Sequence, residues 1–563
     1  KETQLLLAAR DLQTSQVPQS SWEARHLTYT NGHGIVAAPS NAKDANGRPV
    51  FSARDVPMRT DIPALKLDKP AIYVGEGQGG YVIVNSKRKE IAYQSQSKTV
   101  LTQYSGKDGI GIGSIVRKAA FALRFGDTNP LLSTNIRNGS KILIVRDVRE
   151  RVKLLAPFLK FDADPYVVAV NGHLDYVIDG YTTTTRYPYA QRADVKDLPS
   201  GSGLGGSFNY VRNSVKAVVD AYDGTVTFYV IDSKDPVLRA YREAFPDLFT
   251  DASKVPDDLR AHFRYPEDLF RVQTNMWGRY HISDPDDFYN NNDAWSVAQD
   301  PDTAGNTSVG TQSTDAAGAV VSTQKARIDP YYLLMRLPEE KDESFLILRP
   351  FVPVSSNDSR QELTAFMVAK SDADDYGKLE TFVMPRGDLP AGPLIAAAKM
   401  RADENVSELE TLLGSSGSRA SFGNLVLIPI KQSLLYVRPF YVESNTSAIP
   451  ELRKVIVYFN DKVVVNDTLQ GALSDLFGNA PPTQEEPTTP STPSTGTDTV
   501  DELLAKAVTA FDDAQKALAA GDLGTYQRKN TEARGYIEDA QKRNGGTPSS
   551  SSTTTTTTTA PAR

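Results

Sequence analysis

Tyr181, Arg186, Tyr187 and Tyr189 fall within one short span, YTTTTRYPYAQ at 181–191, where rings could stack on sugar faces while hydroxyls and a guanidinium supply directional hydrogen bonds. Such a set lines a glycan groove, although tyrosine is equally at home on an edge strand. A second group, Asp284, Asp286, Asp287, Asn290 and Asp293, has enough oxygen ligands for an extracellular Ca2+ ion, against the plainer reading of solvated turn acids. DADDYGKLE at 372–380 begins as a calcium loop does, but Tyr376 and Val383 stand where oxygen ligands are needed, so the helix-loop-helix reading fails. Glu76, Asp164 and Asp179 are acids that a carboxylate-based hydrolase or transferase acting on glycans would use. Such a pair is recognised by its spatial separation, not by its order in the chain.

Other chemistries find little support. GEGQGG at 75–80 satisfies G-x-G-x-x-G, but the strand-like YVIVN follows where a dinucleotide site needs a helix, so a hairpin turn is expected. The glycines of GKDGIGIGS at 106–114 precede a helix and could hold an anion, yet there is no Walker pattern, and a flexible loop is the simpler reading. Histidines occur at 26, 33, 173, 262 and 281 without zinc-protease spacing; His26 and His33 could converge across a turn, a structural role being the commoner fate. The absence of cysteine excludes disulfides, thiolate catalysis and cysteine-based zinc sites. No G-x-S-x-G elbow is present, and no catalytic residue is assigned. A net charge of −7 provides no basic field for a phosphate backbone, so no nucleic-acid partner is expected.

The elements that must position these residues read as α+β, a large and mainly antiparallel body with inserted helices. Strand-like runs include AIYV at 71–74, YVIVN at 81–85, KILIV at 141–145, YVVAV at 166–170 and TVTFYV at 225–230. They continue with YYLLMRL at 331–337, FLILRPF at 345–351, LTAFMVAK at 363–370, NLVLIPI at 424–430, LLYVRPF at 434–440 and KVIVYF at 454–459. Asn171-Gly172 and Asp223-Gly224 mark hairpin turns. Helices are expected around 114–125, 147–156, 209–220, 235–245 and 265–280. The polar run at 297–324 reads as an exposed loop dividing the body into 1–296 and 325–477. A Pro/Thr linker at 478–500 precedes a helical hairpin at 501–543, with Leu504, Val508, Phe511 and Leu518 as its first apolar stripe, and a Ser/Thr-rich tail at 544–563 that cannot order itself. No window reaches the roughly 18–20 apolar residues needed to cross a bilayer. With Lys1 first and no leader visible, an excised or processed soluble piece is expected.

The block FNYVRNSVKAVVDAYDGTVTFYV at 208–230 resembles the uncharacterised protein family 0182. The resemblance continues through SWEARHLTYTNGHGIVAAP at 21–39, AIYVGEGQGGYVIVN at 71–85, FALRFGDTNPLLS at 121–133, RERVKLLAPFL at 149–159 and DPYVVAVNGHLDYVIDGYTTTTRYPYA at 164–190. LRAHFRYPEDLFRVQ at 259–273 and GNLVLIPIKQSLLYVRPFYV at 423–442 complete it. Two positions depart from the family pattern, Gly180 in place of Ala and Phe366 in place of Trp. The family implies actinobacterial and cyanobacterial plasma-membrane proteins in which transmembrane helices precede a large extracytoplasmic domain. The chain would then be that domain, excised, or a paralogue lacking the membrane half. Its expected partners are the missing transmembrane part, envelope proteins or cell-wall glycans. The expected role is a binding or scaffold module that combines the body with the tethered hairpin by avidity. An envelope enzyme acting on glycans and an accessory outer domain of a transporter are the alternatives.

Overall fold

A computed structural model describes residues 3–478, less 14–15, 19–20, 96–97, 303–310, 315–319, 325, 356–357, 388, 415–416, 431–432 and 445–446. It also describes 500–519 and the isolated positions 529, 532, 533 and 536. The chain forms two compact units, Lys1–Ala480 and Pro481–Arg563. The first is α+β and mainly antiparallel, as its alternation of β-branched runs and capped helices predicts.

Three large sheets carry the body. The first orders Lys160–Phe161, His173–Thr184, Tyr210–Asp220, Val226–Val230 and Phe249–Thr250, and Tyr166–Val170 also pairs with His173–Thr184. Asn171 and Gly172 both adopt positive φ between those last two strands, which is the conformation a two-residue hairpin turn requires. The second sheet orders Trp295–Val297, Ser344–Pro353, Ala365–Lys370 and Leu379–Val383, with Tyr331–Met335 beside Ser344–Pro353. The third is built on the long pair Ser433–Ser444 and Ser447–Phe459. Between the first two sheets lies an apolar layer of Tyr181, Phe208, Leu269, Phe270, Trp295, Ile347 and Phe351. Between the second and third, Phe366, Val368, Met400, Tyr436, Phe440 and Ile456 do the same work. Phe366 therefore sits in the core, stacked on Phe382 with ring centroids 4.9 Å apart.

The helices expected near 114–125, 147–156, 235–245 and 265–280 form as Ile115–Phe125, Val148–Leu155, Pro236–Ala244 and Glu267–Tyr280. Ser114, Asp147 and Asp235 cap the first three with side-chain oxygens that accept backbone N–H groups. The expected helix at 209–220 is instead the strand Tyr210–Asp220, paired on both sides. Its Ser214–Val219 stretch is buried on both faces, which removes the polar alternation that would have marked it as a strand. GEGQGG is not a hairpin turn. The strand before it, Ala71–Ile72, pairs with Gly32–His33, whereas the strand after it, Val82–Val84, pairs with Lys141–Leu143.

The stretch 297–324 contains a small hairpin, Thr311–Thr314 with Val320–Gln324. It does not separate two compact units, because Trp295–Val297 before it pairs with Phe351–Pro353 after it. In the second unit Val500–Ala519 is helical. Its buried stripe is Leu503, Ala507, Ala510 and Ala514, whereas Leu504, Val508 and Phe511 are exposed, one position around the helix from the expected face. The linker at 479–499, most of the hairpin's second arm and the tail lie outside the described residues.

Candidate binding cleft and buried carboxylates

The helix Glu267–Tyr280 starts after Pro266, with Glu267 and Asp268 in its first turn, where acids complement the helix dipole. Near its end Gly278 lies so close to the Trp295–Val297 strand that an added Cβ would stand 2.3 Å from the Trp295 carbonyl oxygen. This close approach brings the helix end and the strand into one cleft of about 910 Å³, lined by Trp277, His281, Asp284, Asp287, Asp293, Trp295, Arg360, Thr364 and Arg386 among others. His281 stacks on Trp295 with ring centroids 3.4 Å apart, and its ring nitrogens contact the carbonyls of Trp277 and Asp293 at 2.9 and 3.1 Å. Trp277 remains 37% exposed. Pro353, Val354, Val383, Met384 and Leu389 supply apolar lining. Trp295 Nε1 and Thr364 Oγ1 are buried polar atoms, on residues that line the cleft, with no hydrogen-bond partner within the protein. Buried polar groups are ordinarily satisfied, so these two atoms are exceptions, and both lie beneath the cleft surface.

The acids expected to hold Ca2+ are on this cleft's rim or next to it, but they do not converge on a point. Asp284 caps the short helix Pro285–Asn290, its Oδ1 accepting from the amides of Asp286 and Asp287. Asp287 accepts from Asn292 Nδ2 at 3.0 Å, and Asp293 pairs with Arg386 at 2.9 Å. Among the described residues no group of three or more His, Asp or Glu could hold a metal ion. The short helix holds Asp284, Asp286 and Asp287 at its amino end and leaves Asp293 beyond its carboxy end.

The tyrosines expected to form one groove are also separated. Tyr181 is fully buried and donates its hydroxyl hydrogen to Asp162. Arg186, Tyr187 and Tyr189 lie on the exposed loop beyond the same strand, where Tyr187 stacks on Tyr210 with centroids 5.7 Å apart. A strand buried on both faces takes Tyr181 into the core, and the chain leaves the sheet before the other three. The GKDGIGIGS loop turns the carbonyls of Gly106, Lys107 and Asp108 toward Lys141 Nζ at 3.2–3.3 Å, an arrangement that suits a cation and not an anion. His26 contacts the Tyr81 carbonyl and stacks on the Tyr81 ring, while His33 packs against Tyr93.

Of the three carboxylates, Asp179 is buried and ion-paired with Lys216 at 2.6 Å, and Asp164 pairs with Arg264 at 2.5 Å. Glu76 is half-buried and 3.9 Å from Arg149; burial pushes its carboxyl up to about 7, with Asp164, Asp11 and Asp147 adding to the shift against Arg149. Asp162 and Asp268 complete a cluster that the linear pattern does not flag. Asp162 accepts from the Tyr181 hydroxyl and from the Asp268 amide, and Asp268 accepts from the Ala163 amide. Burial raises both acids, Asp162 further through Asp268 and Asp179. Glu76, Asp164 and Asp179 do not line the large cleft.

The sequence matches the family described as "Uncharacterised protein family (UPF0182)" over residues 1–413. The chain belongs to UPF0182. A UPF0182 protein of Methanospirillum hungatei is 36% identical over 93% of this chain and 55% of its own length. One from Trichodesmium erythraeum is 35% identical over 96% of the chain and 57% of its own length, and one from Cupriavidus necator is 38% identical over 85% and 50%. UPF0182 therefore reaches across diverse bacteria and archaea, beyond the two bacterial groups the resemblance implied. The chain spans about half the length of the curated UPF0182 relatives it matches. No solved structure matches it. Among the described residues no helix is long and apolar enough to cross a membrane. Trp277 and Trp295 are two of the three tryptophans in this UPF0182 chain, and nothing in their linear spacing pairs them; their common signal is aromatic composition within an acid-rich stretch.

Proposed function

We propose that the chain is a non-enzymatic binding module of a longer UPF0182 protein, placed on the extracytoplasmic side of the plasma membrane, and that the Trp277–Trp295 cleft is its recognition site for saccharide. The observation that carries this reading is the composition of the cleft. A partly exposed Trp277 indole, the stacked His281–Trp295 rings and the Asp293–Arg386 ion pair surround about 910 Å³ of space. Sugar ring faces stack on indoles, and their hydroxyls need directional partners of both kinds. Isothermal titration calorimetry with chitotetraose and with maltotetraose tests it. Saturable binding in the millimolar range or tighter is expected for one of them, weakened about tenfold in Trp277→Ala, in line with the loss of an aromatic contact. Absence of binding to both sugars, or binding that Trp277→Ala leaves unchanged, would overturn the reading.

Glu76 favours one second reading, an enzyme acting on glycans. A carboxyl held near 7 beside Asp164 and Asp11 has the proton affinity of a general acid. Release of reducing ends from an envelope glycan by the isolated chain, abolished in Glu76→Gln, would favour it over the binding module.

A further inference from the structure

We infer that the helix Ile115–Phe125 is a docking surface for an anionic lipid bilayer, lying flat on the membrane rather than crossing it. Ala122 is buried, while Phe121 and Phe125 pack toward Tyr81, Leu27 and Ile83. That leaves the opposite face to solvent. Ile115 is 66% exposed, Val116 76%, Leu123 87%, and Leu132 on the following turn 72%. These side chains belong to one helix face and its neighbouring turn, and no described residue covers them.

The chemistry of the patch selects its occupant. Arg117 and Arg124 are exposed on the helix and no acid falls within it, in a chain whose net charge is −7, whereas Lys118 is half-buried and donates to the Ile136 carbonyl at 3.4 Å. The local charge is therefore opposite in sign to that of the whole molecule. Aliphatic side chains flanked by exposed arginines match a layer of anionic headgroups over acyl chains. Protein partners, by contrast, are anchored by aromatic residues, and here both phenylalanines are spent on the body's own core. At eleven residues the helix is far too short to span a bilayer, so it can only lie at the interface.

Sedimentation of the full chain with vesicles tests the inference. Vesicles of phosphatidylglycerol and phosphatidylcholine should bind it at least about tenfold more strongly than phosphatidylcholine alone. The double variant Val116→Glu/Leu123→Glu should lose vesicle binding while keeping the circular dichroism and the thermal midpoint of the parent, because both side chains face solvent. Arg124→Glu should weaken binding to the mixed vesicles without affecting the weak binding to phosphatidylcholine. The inference is overturned if the double variant binds as the parent does. It is equally overturned if the parent ignores the mixed vesicles; a dimer that the double variant disrupts would then assign the patch to a second copy of the chain.

Discussion

Lys216 illustrates how single side chains set the energetics here. It is wholly buried in the middle of a strand, 2.6 Å from Asp179 and 2.7 Å from the Arg264 carbonyl oxygen, with the rings of Phe263 and Tyr376 each 5.3 Å away. Burial lowers its pKa, and Asp179 opposes that shift. Desolvating two charges consumes most of what their attraction returns, so the pair adds little net stability, but removing one partner strands the other. Lys216→Met should therefore destabilise the chain by about 3–5 kcal/mol in urea unfolding. Lys216→Met/Asp179→Asn should recover more than half of that loss, because no charge is then left buried. Equal losses in the single and double variants would mean that packing and not the unpaired carboxylate sets the cost.

The helix Glu267–Tyr280 depends on two devices that hold it against the second sheet. Arg349, buried on the strand Ser344–Pro353, donates to the Ile328 carbonyl at 2.8 Å and to Thr274 Oγ1 at 3.0 Å, and pairs with Asp197. Gly278 then allows the backbone contact with Trp295. Gly278→Ala should raise helix propensity yet push the helix away from the strand, for a net loss of about 1–3 kcal/mol. Because Trp277 and Trp295 lie on the two displaced elements, saccharide binding should weaken in the same variant. A more stable Gly278→Ala chain with unchanged binding would show that the close contact does not position the cleft.

Across the whole body several carboxyls are held above their ordinary range, Glu76 at about 7 and Asp162, Asp268 and Asp11 also upward, in each case chiefly by burial. A folded state that raises a carboxyl's pKa binds its proton more tightly than the unfolded chain does. That stabilisation is complete below the unfolded value of about 4 and is lost as the pH rises through the folded value. The acid-rich surface adds repulsion in the same direction. Burial holds His26, His33 and His262 below their ordinary value and acts in the opposite sense. The carboxyl contribution is therefore read as a difference: the advantage in urea midpoint of the parent over Glu76→Gln should fall between about pH 5 and about pH 8. A slope unchanged in Glu76→Gln would remove this residue from the account.

Local signals in the chain were enough to establish the family, the α+β class and four of the five helices expected in the body, whereas helices such as Pro393–Ala402, Glu404–Leu413 and Leu469–Phe477 are not among those expected. Asn171-Gly172 specifies its hairpin because few residues tolerate two successive positive φ angles, and Ser114, Asp147 and Asp235 start helices because their side chains satisfy otherwise unpaired N–H groups. Residues 210–220 escaped this logic, since a strand covered on both faces has no polar period to display. The candidate sites escaped it as well. Tyr181 and Tyr187 are six positions apart but belong to core and surface, whereas Trp277 and Trp295 converge because a glycine permits close backbone approach and the strand Trp295–Val297 pairs with Phe351–Pro353. Propensity and capping act over a few residues and so are written in the chain, but convergence depends on which distant strands pair and which faces they bury, and only the folded structure decides that.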